Sequence, residues 1–186
     1  MKWSHPAVVF AAVLLCANAL LSPPAIAQTS PERSNRGNDP FVQISRAVPG
    51  CPEPLGPMEN EAEWLGESHY RIERGNSCWV EGRCRLSNAY QYDHEIAESV
   101  QRRLLTIAYA TQWRDRTSLW LMLQRRFIYV QGCVAKGFDT QQFIAELAKT
   151  ADVDRVIDET TTNPAASKLP YRTKQNPERP TTDQGE

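Results

Sequence analysis

Residues 118–134 read SLWLMLQRRFIYVQGCV, two apolar stretches joined by a pair of arginines. Ser118 to Gln124 and Phe127 to Val134 are leucine-rich, β-branched and aromatic, a composition that suits extended chain. A link as short as Arg125-Arg126 permits only an antiparallel hairpin. Upstream, Ile96, Ala97, Val100, Leu104, Ile107 and Ala108 recur at helical spacing behind Asp93, a candidate N-cap. They predict an amphipathic helix over 94–110. Downstream, Asp139 with Gln142 in the capping-box position starts a helix that runs to Thr150, with Phe143, Ile144, Leu147 and Ala148 as its core stripe. Val153 to Thr160 supplies a third strand. A strand, a helix and a strand in one sheet make a right-handed parallel connection. The expected fold is therefore α+β, in the order helix, strand, strand, helix, strand: a small mixed three-stranded sheet with two helices on one face.

Strand alternation assigns Leu119, Leu121, Leu123, Ile128, Val130 and Val134 to the helix side. The opposite side then carries Trp120, Met122, Phe127, Tyr129 and Cys133, too apolar to face water uncovered. Gly132 sits mid-strand, where glycine weakens pairing unless another backbone or helix comes close.

The rest of the chain divides by composition. Residues 1–27 have one lysine near the start, an apolar run from Ala7 to Leu21, the breakers Pro23 and Pro24, and an Ala25-Ile26-Ala27 cleavage pattern. They read as a secretory signal peptide cleaved after Ala27. Residues 28–63 are proline-rich and read as a partly extended linker, with Phe41, Val42, Ile44 and Val48 able to tack part of it onto the body. Residues 64–92 form an aromatic and cysteine-bearing extension, with a turn at Arg74-Gly75-Asn76-Ser77 between extended pieces near 69–73 and 78–81. Residues 161–186, with four prolines among threonine, glutamine and asparagine, read as a disordered tail. No apolar run after the signal is long enough to span a bilayer.

Export leaves Cys51, Cys78, Cys84 and Cys133, an even number in an oxidising compartment, so two disulfides are expected. Cys133 faces the side that needs cover, and residues 64–92 are the aromatic-rich segment available to cover it. This favours Cys84–Cys133, leaving Cys51–Cys78; a local Cys78–Cys84 loop would add least in chain entropy. A metal site of three cysteines and His94 is the competing use of the thiols, and none of the spacings is C-x2-C.

The formal net charge of -1 excludes chain-wide attraction to nucleic acid. The sequence holds no G-x-S-x-G, Walker or H-E-x-x-H motif. Asp93, His94 and Glu95 at a helix start suit capping rather than catalysis. From Arg71 to Arg126 there are ten arginines and no lysine, against six acids.

Residues 93–160 resemble the BON domain, a bacterial envelope module. The resemblance rests on Asp93-x-x-Ile96-x-x-x-Val100-x-x-x-Leu104, on Ile128-x-Val130-x-Gly132-x-Val134, and on Val153-x-x-Val156-Ile157-Asp158. Two departures stand out: Arg125-Arg126 replaces a glycine-containing turn, and Asp152 replaces a glycine before the last strand. The resemblance implies an αββαβ fold, periplasmic residence and association with phospholipid membranes, with no catalytic residue and no cofactor.

The arginines suggest where such a contact would form. Arg102, Arg103, Arg114 and Arg116 gather near the C-terminal end of the first helix, and Arg125 and Arg126 form a second basic tip. Leu105, Tyr109 and Trp113 follow one another at four-residue spacing on the outward face. An aromatic stripe flanked by arginines suits an interface with anionic phospholipid. The same stripe would suit an envelope protein partner, the alternative reading, and an enzyme of unknown type is a second alternative.

Overall fold

Both apolar stretches form strands in the computed structural model, which describes Met1 and residues 31–178. The elements run β1 (Phe41–Gln43), α1 (Glu61–Val80), a 3-10 turn (Ala89–Tyr92), α2 (Asp93–Thr111), α3 (Trp113–Arg116), β2 (Thr117–Gln124), β3 (Phe127–Val134), α4 (Thr140–Leu147) and β4 (Arg155–Thr161). The protein is α+β, with a mixed four-stranded sheet in the order β1-β2-β3-β4. β2 and β3 are antiparallel in unbroken register from Thr117 opposite Val134 to Gln124 opposite Phe127. β4 runs parallel to β3. The strand–helix–strand order therefore takes the form expected from the sequence.

α2 and α4 cover one side of the sheet. Ile96, Val100, Leu104 and Ile107 of α2 join Phe143 and Leu147 of α4 over Leu119, Leu121, Ile128 and Val130. Each large side chain so buried contributes about 1.5–3 kcal/mol of transfer free energy. Gly132 has φ +128°, and a Cβ there would stand 2.1 Å from the Ser118 carbonyl oxygen. The close approach that mid-strand glycine signals is that of the neighbouring strand's backbone.

The hairpin turn has Arg125 at φ 58° and Arg126 at φ 66°. Positive φ at both central residues is the signature of a type I′ turn, normally built from Asn and Gly. Asp152, before β4, is also left-handed, at φ 64°. So the positions at which this chain lacks glycines are positions where the backbone takes the glycine-like conformation. The Asp93 carboxylate accepts the Arg125 amide at 2.8 Å and the Arg126 amide at 2.7 Å. It does not cap α2: the N-cap is Tyr92, without a side-chain cap bond. Asp139 does cap α4, accepting the Gln142 amide.

The other side of the sheet departs from the sequence reading. Residues 31–60 are not a free linker. β1 adds a fourth, antiparallel strand beside β2, extended by Ile44 N–H to Leu119 O and Ala47 N–H to Thr117 O. Residues 61–80 are helix rather than two extended pieces around a turn. An Asn60–Glu63 capping box starts α1, with each side chain bonded to the other residue's backbone. Arg74-Gly75-Asn76-Ser77 lies within it. Gly75 resembles a breaker, yet a Cβ there would stand 2.5 Å from the Asn88 side chain. The glycine permits close packing, at a helix-propensity cost of about 1 kcal/mol.

The tail is ordered at least as far as residue 178. Tyr171 is buried and donates its hydroxyl to Pro52 O at 3.1 Å, while Leu55 N–H reaches Arg172 O and Lys174 N–H reaches Glu53 O. A chain segment poor in apolar residues is thus held by backbone pairing to residues 52–55. The expected signal peptide, its cleavage after Ala27 and residues 179–186 lie outside the described residues.

The disulfides are Cys51–Cys133 and Cys78–Cys84, not the pairs Cys84–Cys133 and Cys51–Cys78. Cys133 does face away from α2 and α4, as alternation requires. Its partner comes from residues 44–51, which continue along β2, where Ser118 Oγ accepts the Val48 amide and donates to Val48 O. Helix α1 instead places Cys78 close to the chain that follows it, where Cys84 lies. All four thiols are spent in disulfides, so the metal reading of three cysteines and His94 loses its ligands. Two bonded pairs fit an oxidising, extracytoplasmic compartment.

Candidate anion-binding cleft at the hairpin tip

Helix α1 carries its amphipathicity inside out. Its inward face is largely charged. Arg71 donates to both Asp39 oxygens, at 2.9 and 2.5 Å, and lies over the Tyr90 ring at 3.9 Å. Gln124 also donates to the Asp39 carboxylate, and Asn35 Oδ1 accepts the Asp39 backbone amide, so this buried residue joins α1, β2 and the chain before β1. Burial pushes the Tyr90 hydroxyl up to about 12. The outward face carries Leu65, Ile72, Trp79 and Val80, with Ile72 69% and Val80 70% exposed. Leu65, Ile72 and Trp79 are seven residues apart and share one stripe.

At the C-terminal end of this helix, Arg74 and Ser77 meet the hairpin tip. Together with Arg83, Arg125, Arg126 and Asp154 they line a cleft of about 180 Å³. Four guanidinium groups thus come from three places in the chain. Arg125 rests on the Phe127 ring at 4.6 Å. Arg126 lies over Tyr92 at 5.3 Å and donates to Asp152 O and to Cys84 Sγ. Aromatic faces and neutral acceptors therefore hold these two cations, and among the described residues neither has a carboxylate within ion-pair distance. Arg83 pairs with Glu81 at 2.6 Å, and Arg74 approaches Glu67 only to 3.9 Å. The turn's own amides are occupied by Asp93, whose carboxyl burial pushes up to about 6 against the lowering effect of those two bonds.

The surface expected at the end of α2 is reduced. Leu105 is exposed and Tyr109 is 95% exposed, but Trp113 is 4% exposed and belongs to the core. The helix ends at Thr111, and Gln112 takes a left-handed conformation, φ 51°. The stripe's four-residue step is broken there, and Trp113 turns inward to donate its indole N–H to Leu104 O. Arg103 is tied to the Glu146 carboxylate and carbonyl, and Arg116 donates to Lys136 O at 2.9 Å. Arg102 and Arg114 remain at the surface, the first donating to Ser99 Oγ, the second over Trp113 at 5.0 Å. Arg125 and Arg126, the second basic tip, gain Arg74 and Arg83 as neighbours. The sequence reading missed these two because it placed residues 74–77 in a turn; Asn60-x-x-Glu63 is the signal that would have placed Arg74 on a helix and Arg83 just past its end.

A polar cavity of about 310 Å³ lies between α1 and the sheet, with Glu59, Glu67, Glu159, Gln131 and Arg172 among its walls. Gln131 donates to Glu159 at 2.7 Å, Arg172 pairs with Glu63 at 2.7 Å, and Gln131 Oε1 is buried without a hydrogen-bond partner among the described residues. Among the described residues no helix is long and apolar enough to cross a membrane, and no group of three or more His, Cys, Asp or Glu side chains is placed to hold a metal ion. No known protein family, curated protein or solved structure matches this chain.

Proposed function

We propose that this is a non-catalytic, BON-like protein of the periplasm that associates with phospholipid surfaces. The observation that carries the reading is the outward face of α1, where Trp79 and Val80 stand exposed beside the arginine cleft. An amphipathic ring and aliphatic side chains next to uncompensated cations match the two parts of a bilayer interface, acyl boundary and anionic headgroup. In this reading the left-handed backbone at Arg125, Arg126 and Asp152 falls at the two turns where the BON family often has glycine. The disulfides agree with an oxidising compartment.

Co-sedimentation of the mature chain with anionic vesicles tests the reading. Binding is expected at low salt and should weaken as salt rises. Replacing Trp79 and Val80 by Ser should weaken it by roughly 10-fold or more, the equivalent of ~1.5–3 kcal/mol of lost apolar burial. A wild-type chain that ignores anionic vesicles at low salt would sink the proposal.

One observation favours the protein-partner reading for the other half of the stripe. Glu61 and Glu73 lie on α1 near Leu65 and Ile72, and an anionic surface repels both. A partner with a basic rim would accept them.

A further inference from the structure

We infer that the cleft between the end of α1 and the hairpin tip is a specific seat for one phosphate group. Three observations converge. First, Arg74, Arg83, Arg125 and Arg126 line it, with Asp154 as its one acidic wall residue. Guanidinium forks match phosphate oxygens in pairs, as a lysine point charge cannot. Second, the space is small. At about 180 Å³ it falls below the ~300–1,000 Å³ of pockets that enclose drug-sized ligands. It admits a tetrahedral anion or the phosphate end of a larger molecule. Third, two of the arginines stand where arginine is disfavoured. Arg125 and Arg126 hold φ of 58° and 66°, a conformation that Asn or Gly adopts at little cost. Strain retained at two adjacent cationic positions marks side chains that are used. Both are also preorganised on aromatic faces, which lowers the ordering cost of gripping an anion.

The inference deepens the lipid reading and rests on it only for the source of the phosphate, a headgroup or a soluble phosphate. The purified mature chain, disulfides intact, is titrated with inorganic phosphate at constant ionic strength by calorimetry. Wild type should saturate one site. Arg83→Gln with Arg125→Asn should weaken it at least 10-fold, and Arg74→Gln should weaken it in a chain whose hairpin is untouched. Lys136→Gln with Lys168→Gln, which removes the same charge outside the cleft, should leave it unchanged. A wild type that does not saturate, or a lysine pair that weakens binding as much as the arginine pair, overturns the site.

A second arm uses phosphatidylcholine vesicles with and without phosphatidic acid. Phosphate binding without vesicle binding would keep the cleft, as a site for soluble phosphate, and end the lipid reading. Vesicle binding that is equal in wild type and in the Arg83/Arg125 variant would keep the lipid reading and overturn the cleft as its headgroup seat, leaving the phosphate titration to decide the site itself.

Discussion

On one side of the sheet, α2 and α4 bury leucine, isoleucine, valine and phenylalanine against β2 and β3. On the other, residues 31–60, α1 and the chain around Tyr171 are fastened by ion pairs, backbone bonds and a disulfide. Arg71 with Asp39, Arg172 with Glu63 and Cys51 with Cys133 do there what apolar stripes do opposite. The first side is self-sufficient, because a packed apolar interface needs no exact partner. The second depends on particular pairs: removing Arg71 leaves the buried Asp39 carboxylate without its cation. α1 shows the consequence most clearly. Its polar face is spent on the sheet side, so its apolar face is left for something else.

Gly132→Ala would break both sides together. The added methyl would meet the Ser118 carbonyl at 2.1 Å, on a backbone with φ +128°. A backbone atom cannot move aside as a side-chain tip can, so we expect a loss of ~5 kcal/mol or more. Denaturant unfolding of purified protein measures it, and a midpoint close to wild type would refute the strand contact.

Removing one disulfide separates the sides. Cys51–Cys133 spans 82 residues and Cys78–Cys84 spans 6. Chain-entropy scaling gives ~4.5 kcal/mol for the first and ~2 kcal/mol for the second. With both cysteines of the long pair changed to Ser, hydrogen exchange should quicken first in β1 and residues 44–51 while α2 stays protected. Equal acceleration on both sides would show that the sheet's two layers unfold as one unit.

The same division explains what the sequence made legible. Ile96, Val100 and Leu104, or Leu119 and Leu121, announce themselves by spacing because water exclusion selects one face of each element. Those positions predicted α2, β2, β3, α4 and β4 to within a few residues. Arg71 and Glu67 face inward on α1 with no apolar rhythm, and Gly75 with Asn76 imitates a turn. β1 is three residues long, follows Pro40 and exists because β2 has a free edge. The pairing of Cys133 depends on which segment lies against it, a tertiary fact. The arginine cleft was half legible. Arg125 and Arg126 stood out as a pair, but Arg74 and Arg83 reach them only through α1. Trp113 was misplaced because one left-handed residue, Gln112, ends the helix that carried the stripe.

Asp93 joins the two layers at the turn and gives the comparison a pH dependence. Its folded-state pKa, about 6, lies above the ordinary ~3.9 of an unfolded aspartate. Between those values the folded chain holds a proton that the unfolded chain has released. Stability from this group is therefore complete below pH ~4 and falls as pH rises through 6, by up to ~3 kcal/mol. Unfolding free energies measured from pH 4 to 7 should show the decline, and Asp93→Asn should flatten it. A stability that rises over that range in wild type, with the same slope in Asp93→Asn, would assign the dependence to other groups.

The smallest effect is the one that ties stability to the cleft. Arg125 holds φ 58° while its guanidinium rests on Phe127 rather than on a carboxylate. Its side chain therefore returns little folding energy for the conformation it imposes. Asn occupies this turn position readily, and its amide hydrogen bond to Asp93 is a backbone bond that the substitution keeps. Arg125→Asn should thus raise stability by ~0.5–1 kcal/mol, the usual gain when a left-handed position receives a residue suited to it. On the apolar side no such gain is available: Leu104→Ala, a change at a buried site that already fits its helix, should cost ~2–5 kcal/mol. Thermal unfolding of the two variants at neutral pH makes the contrast. If Arg125→Asn is destabilised, the guanidinium is a structural clasp for the hairpin. If it is stabilised and binds phosphate less well, arginine stands there for the ligand, and the turn is strained to keep it.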